Sequence, residues 1–244
     1  MNRQLLKKFL RPGYKLLERN VLDPMRLGAF DRAGKEEFQI FLKYAMNYVF
    51  GCQIQGDYLE FGSFRGNTLT TAFLSAKRFG LNSMKFFIFD SFEGLPPIAG
   101  VDAEGPCHYE QGQYACSLDE FTRIIARRGV DLQRVVVTKG WYDKTLNGET
   151  SKRLQIKKAA IIWIDCDLYE STVPVLDFVT PYIQTGTILC FDDWFCFGGD
   201  PTRGEARAFL EWLKKNSWLT AIEYRKFESA GNSFIMNVAT DQTK

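Results

Sequence analysis

The chain has 244 residues, of which 45% are hydrophobic and 25% are charged, a composition typical of a globular protein with one large α/β domain. Its formal net charge of +2 provides no basic surface for nucleic acid, so we expect small-molecule partners. Charged residues at Lys7, Lys8 and Arg11 exclude a secretory signal, and the scattered cysteines form no CxxC pair. These features favour a cytoplasmic protein with reduced thiols and no membrane span.

Residues 1–50 are predicted to be a helical extension without site chemistry, followed by one main domain over residues 51–244. A short apolar stripe near the start comprises Leu5, Leu6, Phe9 and Leu10. We expect it to pack on the main domain or on another subunit of a homo-oligomer rather than on a membrane surface. A second helix is predicted over residues 36–50.

An alternating apolar run, residues 58–61, contains Glu60 near its end and is followed by Gly62 and Gly66. The pattern predicts a strand, a glycine turn and a helix capped by Asn67 or Thr68, which together form a nucleotide-type pocket. The alternative is an ordinary turn of an α/β fold. The dinucleotide spacing G-x-G-x-x-G is absent.

The next apolar strand, residues 84–89, ends at Asp90. A doubly wound sheet places this acid beside Glu60 at the carboxyl edge, where it would accept hydrogen bonds from ribose hydroxyls. Capping of the following helix is the alternative role.

These two segments resemble known methyltransferase motifs. E-x-G-x-x-x-G, beginning at Glu60, is similar to the first motif of class I S-adenosylmethionine-dependent methyltransferases. F-D-S-F-E-G-L-P at residues 89–96 resembles the signature of the macrocin O-methyltransferase (TylF/MycF) family, and the resemblance extends over roughly residues 55–237. It implies that Glu60 receives the ammonium group of the cofactor's methionine part. The cofactor-binding residues that it implies around these motifs are Gly62, Ser63, Gly66, Asn67, Thr68, Asp90 and Ser91.

Residues 97–117 are predicted to form a loop that serves as a lid or substrate wall. The loop contains His108, the single histidine of the chain. The resemblance implies that His108 is a general base, and its ordinary pKa suits a proton transfer near neutral pH. An exposed histidine without catalytic role is the alternative.

A helix over residues 117–128 and a strand over residues 135–137 lead into Gly140 and Trp141. This element resembles the family's G-[FW]-x-x-T-L motif, which implies contact with adenine. A place in the structural core is the alternative for Trp141.

Two further apolar strands, residues 159–164 and 187–191, end in acids. Parallel neighbours would bring Asp165, Asp192 and Asp193 together at the edge that holds Glu60 and Asp90. Clustered carboxylates repel one another unless a cation neutralises them, and oxygen ligands favour Mg²⁺.

The resemblance implies that Asp165, Asp192 and Asp193 bind Mg²⁺, with Asp167 as the alternative in the first motif. Helix capping by Asp167 or Ser171 is the competing role. An aromatic and glycine-rich segment, residues 194–201, would form the far wall of an acceptor pocket. A helix over residues 204–216 and two closing strands, residues 220–224 and 233–237, complete a doubly wound, mostly parallel seven-stranded sheet.

We therefore predict a Mg²⁺-dependent O-methyltransferase that uses S-adenosylmethionine and acts on a hydroxyl of a sugar or a glycosylated small molecule. His108 and Asp165 are the candidate catalytic residues. Two rivals remain: a catalytically silent cofactor-binding subunit, and another metal-dependent enzyme on the same sheet.

Overall fold

A computed structural model of the chain describes residues 23–103 and 109–239, with side chains from residue 37 onward. The strands are β1 (Asp57–Phe61), β2 (Phe86–Asp90), β3 (Val135–Lys139), β4 (Ala159–Ile164), β5 (Ile188–Phe191), β6 (Leu219–Phe227) and β7 (Gly231–Val238). The α-helices of the described part are α1 (Asp23–Gly51), α2 (Asn67–Arg78), α3 (Leu118–Arg127), α4 (Tyr142–Thr145), α5 (Gly148–Leu154), α6 (Tyr169–Val179) and α7 (Gly204–Lys215).

All seven strands form one sheet in the order β3-β2-β1-β4-β5-β7-β6. The pairs among β1 to β5 are parallel, and β7 runs antiparallel to both β5 and β6. Each residue of β4 is buried and apolar, as a central parallel strand with covered faces requires. The predicted doubly wound seven-stranded fold is confirmed.

Two apolar cores cover the two faces of the sheet. One contains α1, α2 and α3 with Trp163, and the other contains α6 and α7 with Phe61 and Phe191. The second face also holds Phe209, whose ring centroid lies 5.1 Å from that of Phe191. These cores fix where the strands end, and therefore where the strand-terminal acids lie.

The N-terminal helix differs from the predicted one. It begins at Asp23 rather than near residue 36, and the apolar stripe of residues 5–10 lies outside the described residues. Phe38 and Phe41 of α1 place their rings 5.4 and 5.9 Å from the ring of Trp163. The helix thus belongs to the main core, and the predicted domain division after residue 50 stays a prediction.

A search of the helices within residues 23–103 and 109–239 finds none with the length and apolar character needed to span a membrane.

Because Leu42 of α1 is fully buried in this core, Leu42→Ala should lower the free energy of unfolding by about 2–5 kcal/mol. Ile40→Ala on the same helix is the matched control, since Ile40 is 49% exposed and should change stability by less than about 0.5 kcal/mol. Urea denaturation measures both. Equal effects of the two substitutions would show that α1 does not pack as described.

Candidate active site

A cavity of about 660 Å³ opens at the carboxyl ends of the parallel strands. It lies where the strand order reverses between β1 and β4, the position at which doubly wound folds bind ligands. Each of the five parallel strands contributes a residue that lies at or just after its end. These residues are Gly62, Asp90, Gly140, Asp165 and Asp192.

Gly62 is required by the close approach of two strands. Its φ is +83°, and a Cβ at this position would overlap the carbonyl oxygen of Asp165. The cleft between β1 and β4 is therefore narrow at its base, and any larger residue would push the two strand ends apart. This agrees with the tight turn expected from the glycine.

The second glycine of the motif, which the resemblance places among the cofactor-binding residues, does not line the cavity. Gly66 is buried in the left-handed conformation, and a Cβ there would lie 2.5 Å from the side chain of Ile125. It serves the packing of α3 against the turn. Gly66 itself also occupies the N-cap position of α2 with no side-chain cap. Asn67 and Thr68 therefore lie inside the helix, and neither lines the cavity.

Glu60 lies beneath the cavity rather than in its wall. Its side chain is fully buried, and its two carboxylate oxygens accept hydrogen bonds from the hydroxyls of Tyr58 (2.6 Å) and Ser63 (2.7 Å). Burial raises the pKa of Glu60 to about 7, although both hydrogen bonds oppose that shift. Ser63 lines the cavity and Glu60 does not, and the predicted contact of Glu60 with an ammonium group stays a prediction.

Asp90 does not cap a helix, because the residues directly after β2 are not helical, and its predicted contact with ribose stays a prediction. Its Oδ2 accepts the backbone N–H groups of Ser63 (2.7 Å) and Phe64 (3.3 Å), and its Oδ1 accepts that of Phe92 (2.6 Å). The carboxylate lines the cavity, and Oδ1 keeps one lone-pair direction for a ligand hydroxyl. Ser91 also lines the cavity, while its hydroxyl donates to the carbonyl of Gly94.

Gly140 and Trp141 form the wall beside Asp90. The backbone N–H of Gly140 donates to the carbonyl oxygen of Asp90 (2.9 Å), and Gly140 has a φ of +135°. Trp141 is half-buried and lines the cavity instead of joining either apolar core. This placement favours ligand contact over the alternative of a core tryptophan.

The carboxylates at the ends of β4 and β5 form an acidic cluster. Asp165, Asp167 and Asp193 each offer an oxygen, and these oxygens lie within 4.8 Å of one another. Asp192 lines the same cavity without joining this set. The structure therefore pairs Asp165 and Asp193 with Asp167, the alternative first-motif ligand. Asp167 has a φ of +60°, a costly conformation for a residue with a side chain.

The cluster has the properties of a site for a hard cation. Oδ2 of Asp193 is buried and has no hydrogen-bond partner among the described residues. Burial, followed by the charges of neighbouring aspartates, raises the pKa of Asp165, Asp167 and Asp192. A divalent cation that binds oxygen ligands would give the buried oxygen a partner and would neutralise the repulsion among the carboxylates.

His108 lies outside the described residues. The hydroxyl of Tyr109 lies 3.4 Å from Oδ1 of Asp193. The other end of this loop is fixed by Asp102, which is buried and accepts the backbone N–H groups of Tyr169 (2.5 Å) and Gly204 (2.9 Å). On the two sides of residues 104–108, the described residues thus contact the first turns of α6 and α7 through Asp102 and the acidic cluster through Tyr109, and a role as a substrate wall stays a prediction.

Sequence reasoning missed Asp102 and Glu205. Glu205 is fully buried in the first turn of α7, and its carboxylate accepts the backbone N–H groups of Cys166 (3.1 Å) and Asp193 (3.0 Å). Its partners lie 39 and 12 positions away in the chain, so no local pattern indicates the contact. The only available signal was a glutamate on the apolar face of an amphipathic helix.

Similar chains are found among known O-methyltransferases. The model of the family described as Macrocin-O-methyltransferase (TylF) matches residues 22–217. A tetracenomycin-C 4'-O-methyltransferase from Streptomyces olivaceus, which acts on a dimethoxyrhamnosyl derivative, is 30% identical over 157 residues, covering 63% of this chain and 58% of that protein. Mycinamicin III 3''-O-methyltransferase from Micromonospora griseorubida is 29% identical over 147 residues, covering 58% and 56%.

The chain spans less than two thirds of the length of these curated relatives. Among solved structures, that of the O-methyltransferase NovP superposes with a TM-score of 0.67 at 20% identity, covering 82% of this chain and 79% of that one. At this identity the likeness concerns the fold.

The raised pKa of Glu60 predicts a pH-dependent stability. Since this pKa is about 7 in the folded chain and near 4.5 ordinarily, the folded state holds a proton that the unfolded state has released between these values. Stability is therefore lost as pH rises through this window. Glu60→Gln should remove this loss of stability, because glutamine does not titrate. The hydroxyls of Tyr58 and Ser63 can still bond to the amide, since each can donate or accept a hydrogen bond.

We expect the variant to gain up to about 3 kcal/mol of unfolding free energy relative to the parent between pH 4.5 and 7.5. Urea denaturation across this range measures the difference, with Glu149→Gln at an exposed position as control. Parallel pH curves for the parent and Glu60→Gln would contradict the assignment.

Proposed function

The chain belongs to the macrocin O-methyltransferase (TylF) family, and we propose that it transfers the methyl group of S-adenosylmethionine to a hydroxyl of a sugar or glycoside. The observation that carries the proposal is the single cavity that joins Gly62, Asp90 and Gly140 to the acidic cluster. A cofactor pocket and a candidate metal site thus share one wall, which is the arrangement that a metal-assisted methyl transfer needs.

The cofactor would lie along the ends of β1, β2 and β3. Asp90 offers its free acceptor direction to a ribose hydroxyl, and Trp141 presents its indole to adenine. The methionine part would lie over Gly62 and Ser63, with Glu60 holding the Ser63 hydroxyl from below. When bound, S-adenosylmethionine supplies an electrophilic methyl group on sulfur.

The acidic cluster would hold Mg²⁺. The distances and the resemblance both favour Asp165 and Asp193 as ligands. The third ligand would be Asp167 according to the distances, or Asp192 according to the resemblance. When bound, the cation would lower the pKa of an acceptor hydroxyl and fix its direction. Tyr109 and Cys196 hold Oδ1 of Asp193, leaving the buried Oδ2 for the metal.

Methyl transfer is an in-line displacement in which the carbon–sulfur bond breaks as the oxygen–carbon bond forms. The acceptor hydroxyl must lose its proton, and His108 and Asp165 are the proposed groups to receive it. The remaining requirement is alignment, which the fixed strand ends provide.

The cavity wall supports a glycoside acceptor over a nucleotide sugar. Its acidic lining residues are Asp90, Asp143, Asp165, Asp167, Glu170, Asp192 and Asp193. The described lining contains no lysine or arginine, and none occurs in the loop sequence 97–117. Asp143 pairs with Lys144 at 2.8 Å, and a bound cation and a sulfonium would offset a further part of this charge. The acids that stay ionised would repel an acceptor with phosphates.

An apolar wall would suit the aglycone. It comprises Leu95, Pro96, Pro97, Ala99 and Pro174. Phe64 and Tyr114 also line the cavity, are 40% and 49% exposed, and lie with ring centroids 6.0 Å apart in an edge-to-face arrangement. Exposed aromatic rings beside a polar cluster are typical of sites that bind amphipathic ligands.

The metal and cofactor roles predict separable effects of Asp193→Asn. Loss of one carboxylate should abolish Mg²⁺-stimulated methyl transfer to a panel of glycosides. The affinity for S-adenosylmethionine, measured by calorimetry, should stay within about threefold of the parent, because the proposed cofactor pocket lies on other strands.

Asp143→Asn is the matched control, since Asp143 is an exposed acid of the same cavity outside the cluster. Full activity of Asp193→Asn, or of the parent in excess chelator, would refute the metal role. Absence of cofactor binding to the parent at millimolar concentration would favour another metal-dependent enzyme.

The charge of the wall predicts the choice of acceptor. For the same 6-deoxyhexose, kcat/KM should be about tenfold higher for the phenyl glycoside than for the nucleoside diphosphate sugar. Salt at about 0.5 M should reduce this difference in kcat/KM, because it screens the repulsion between the acids and the phosphates. Initial rates at two ionic strengths measure this. A preference for the nucleotide sugar would show that the acids do not control acceptor choice.

A further inference from the structure

We propose that Glu205 is a positioning residue for the acidic cluster: its carboxylate joins the loops that follow β4 and β5 and thereby sets the separation of Asp165, Asp167 and Asp193. The inference rests on the metal site proposed above. It assigns a function to the first turn of α7, which contributes no residue to the cavity wall.

The two oxygens of Glu205 contact one backbone group in each loop. Oε1 accepts the N–H of Cys166 at 3.1 Å, and Oε2 accepts the N–H of Asp193 at 3.0 Å. Cys166 lies between the two first-motif acids, Asp165 and Asp167. One side chain therefore bonds to the backbone of both segments that carry the cluster.

Glu205 connects the two segments just beyond the last hydrogen bond between β4 and β5. The register of β4 and β5 ends at Ile164 and Phe191, and the last backbone bond between these segments runs from the N–H of Asp192 to the carbonyl of Ile164 (2.9 Å). Beyond this bond, the N–H of Cys166 in one segment and the N–H of Asp193 in the other both donate to Glu205. The carboxylate thus extends the connection beyond the ladder, at the level of the metal ligands.

Only a carboxylate can make both contacts. A backbone N–H always donates, and the two oxygens of a glutamate side chain can each accept one. Glutamine has one acceptor oxygen and would turn its NH₂ group against the other amide. Glu205 is fully buried beside Asp193 and Asp192, whose charges repel it. A side chain selected for stability alone would avoid this repulsion, so its place indicates a function in holding the loops.

The helix provides a rigid base for this contact. Ala208 and Phe209 of α7 are buried against the sheet, and Phe209 stacks on Phe234 with ring centroids 4.7 Å apart. A site built from a packed helix holds its ligands more precisely than one built from loops alone.

The test is direct Mn²⁺ binding, measured by electron paramagnetic resonance of free Mn²⁺, in the full chain and in Glu205→Gln. We expect the dissociation constant to rise about tenfold or more, as is common when groups that orient metal ligands are lost. S-adenosylhomocysteine affinity should stay within about threefold of the parent, since a merely structural defect would reduce both. Glu211→Gln, an exposed position on the same helix, should bind Mn²⁺ like the parent.

Unchanged Mn²⁺ affinity in folded Glu205→Gln would overturn the inference, and so would an equal loss of both affinities. No Mn²⁺ binding by the parent would overturn the metal site itself, and with it this role. If the variant does not fold, hydrogen exchange in the parent decides: the amides of Cys166 and Asp193 should exchange as slowly as those of β4 and β5. If these two amides exchange as fast as amides in exposed loops, their hydrogen bonds to Glu205 are contradicted.

Discussion

Carboxylates placed at the ends of neighbouring parallel strands repel one another in a partly buried cavity, and the surrounding structure depends on how that repulsion is managed. Burial and mutual charge raise the pKa of Asp165, Asp167 and Asp192. Asp193 has a buried oxygen with no partner among the described residues. Acids held this way favour either protons or a divalent cation, and our proposal is that a cation is what the arrangement is built to receive.

The scaffold holds the proposed cofactor side of the cavity and the acidic side by different elements. On one side, Gly62 permits the close approach of β1 and β4, and backbone amides hold the Asp90 carboxylate in place. On the other side, Glu205 and Asp102 tie loops to the first turns of helices. Both sides rely on buried carboxylates bonded to backbone N–H groups, so the orientation of the site is set by the main chain of rigid elements. Under the proposed function, these rigid elements would align the cofactor and the acceptor.

Much of this arrangement could be predicted from the sequence, because each strand-terminal acid follows an unbroken apolar run. Asp90, Asp165 and Asp192 lie at one edge for that reason. The full burial of Glu60 was not predicted, because the alternating pattern places Glu60 on one face of the strand without showing that the hydroxyls of Tyr58 and Ser63 cover it. Whether Asp167 or Asp192 joins the cluster depends on the left-handed conformation of Asp167 itself, which lies in a loop. The hydrogen bonds of Glu205 and Asp102 join parts of the chain that are far apart in sequence. Neither is encoded in a local pattern.

The central claim is that one rim of the sheet holds both a sulfonium nucleoside and a divalent cation. Crystals grown with S-adenosylhomocysteine and Mn²⁺ test it directly, because anomalous scattering locates the metal independently of the protein atoms. The account predicts one strong peak about 2.2 Å from carboxylate oxygens of Asp165 and Asp193, with the ribose on Asp90. A peak elsewhere, or none at saturating Mn²⁺ with the nucleoside bound, would contradict it.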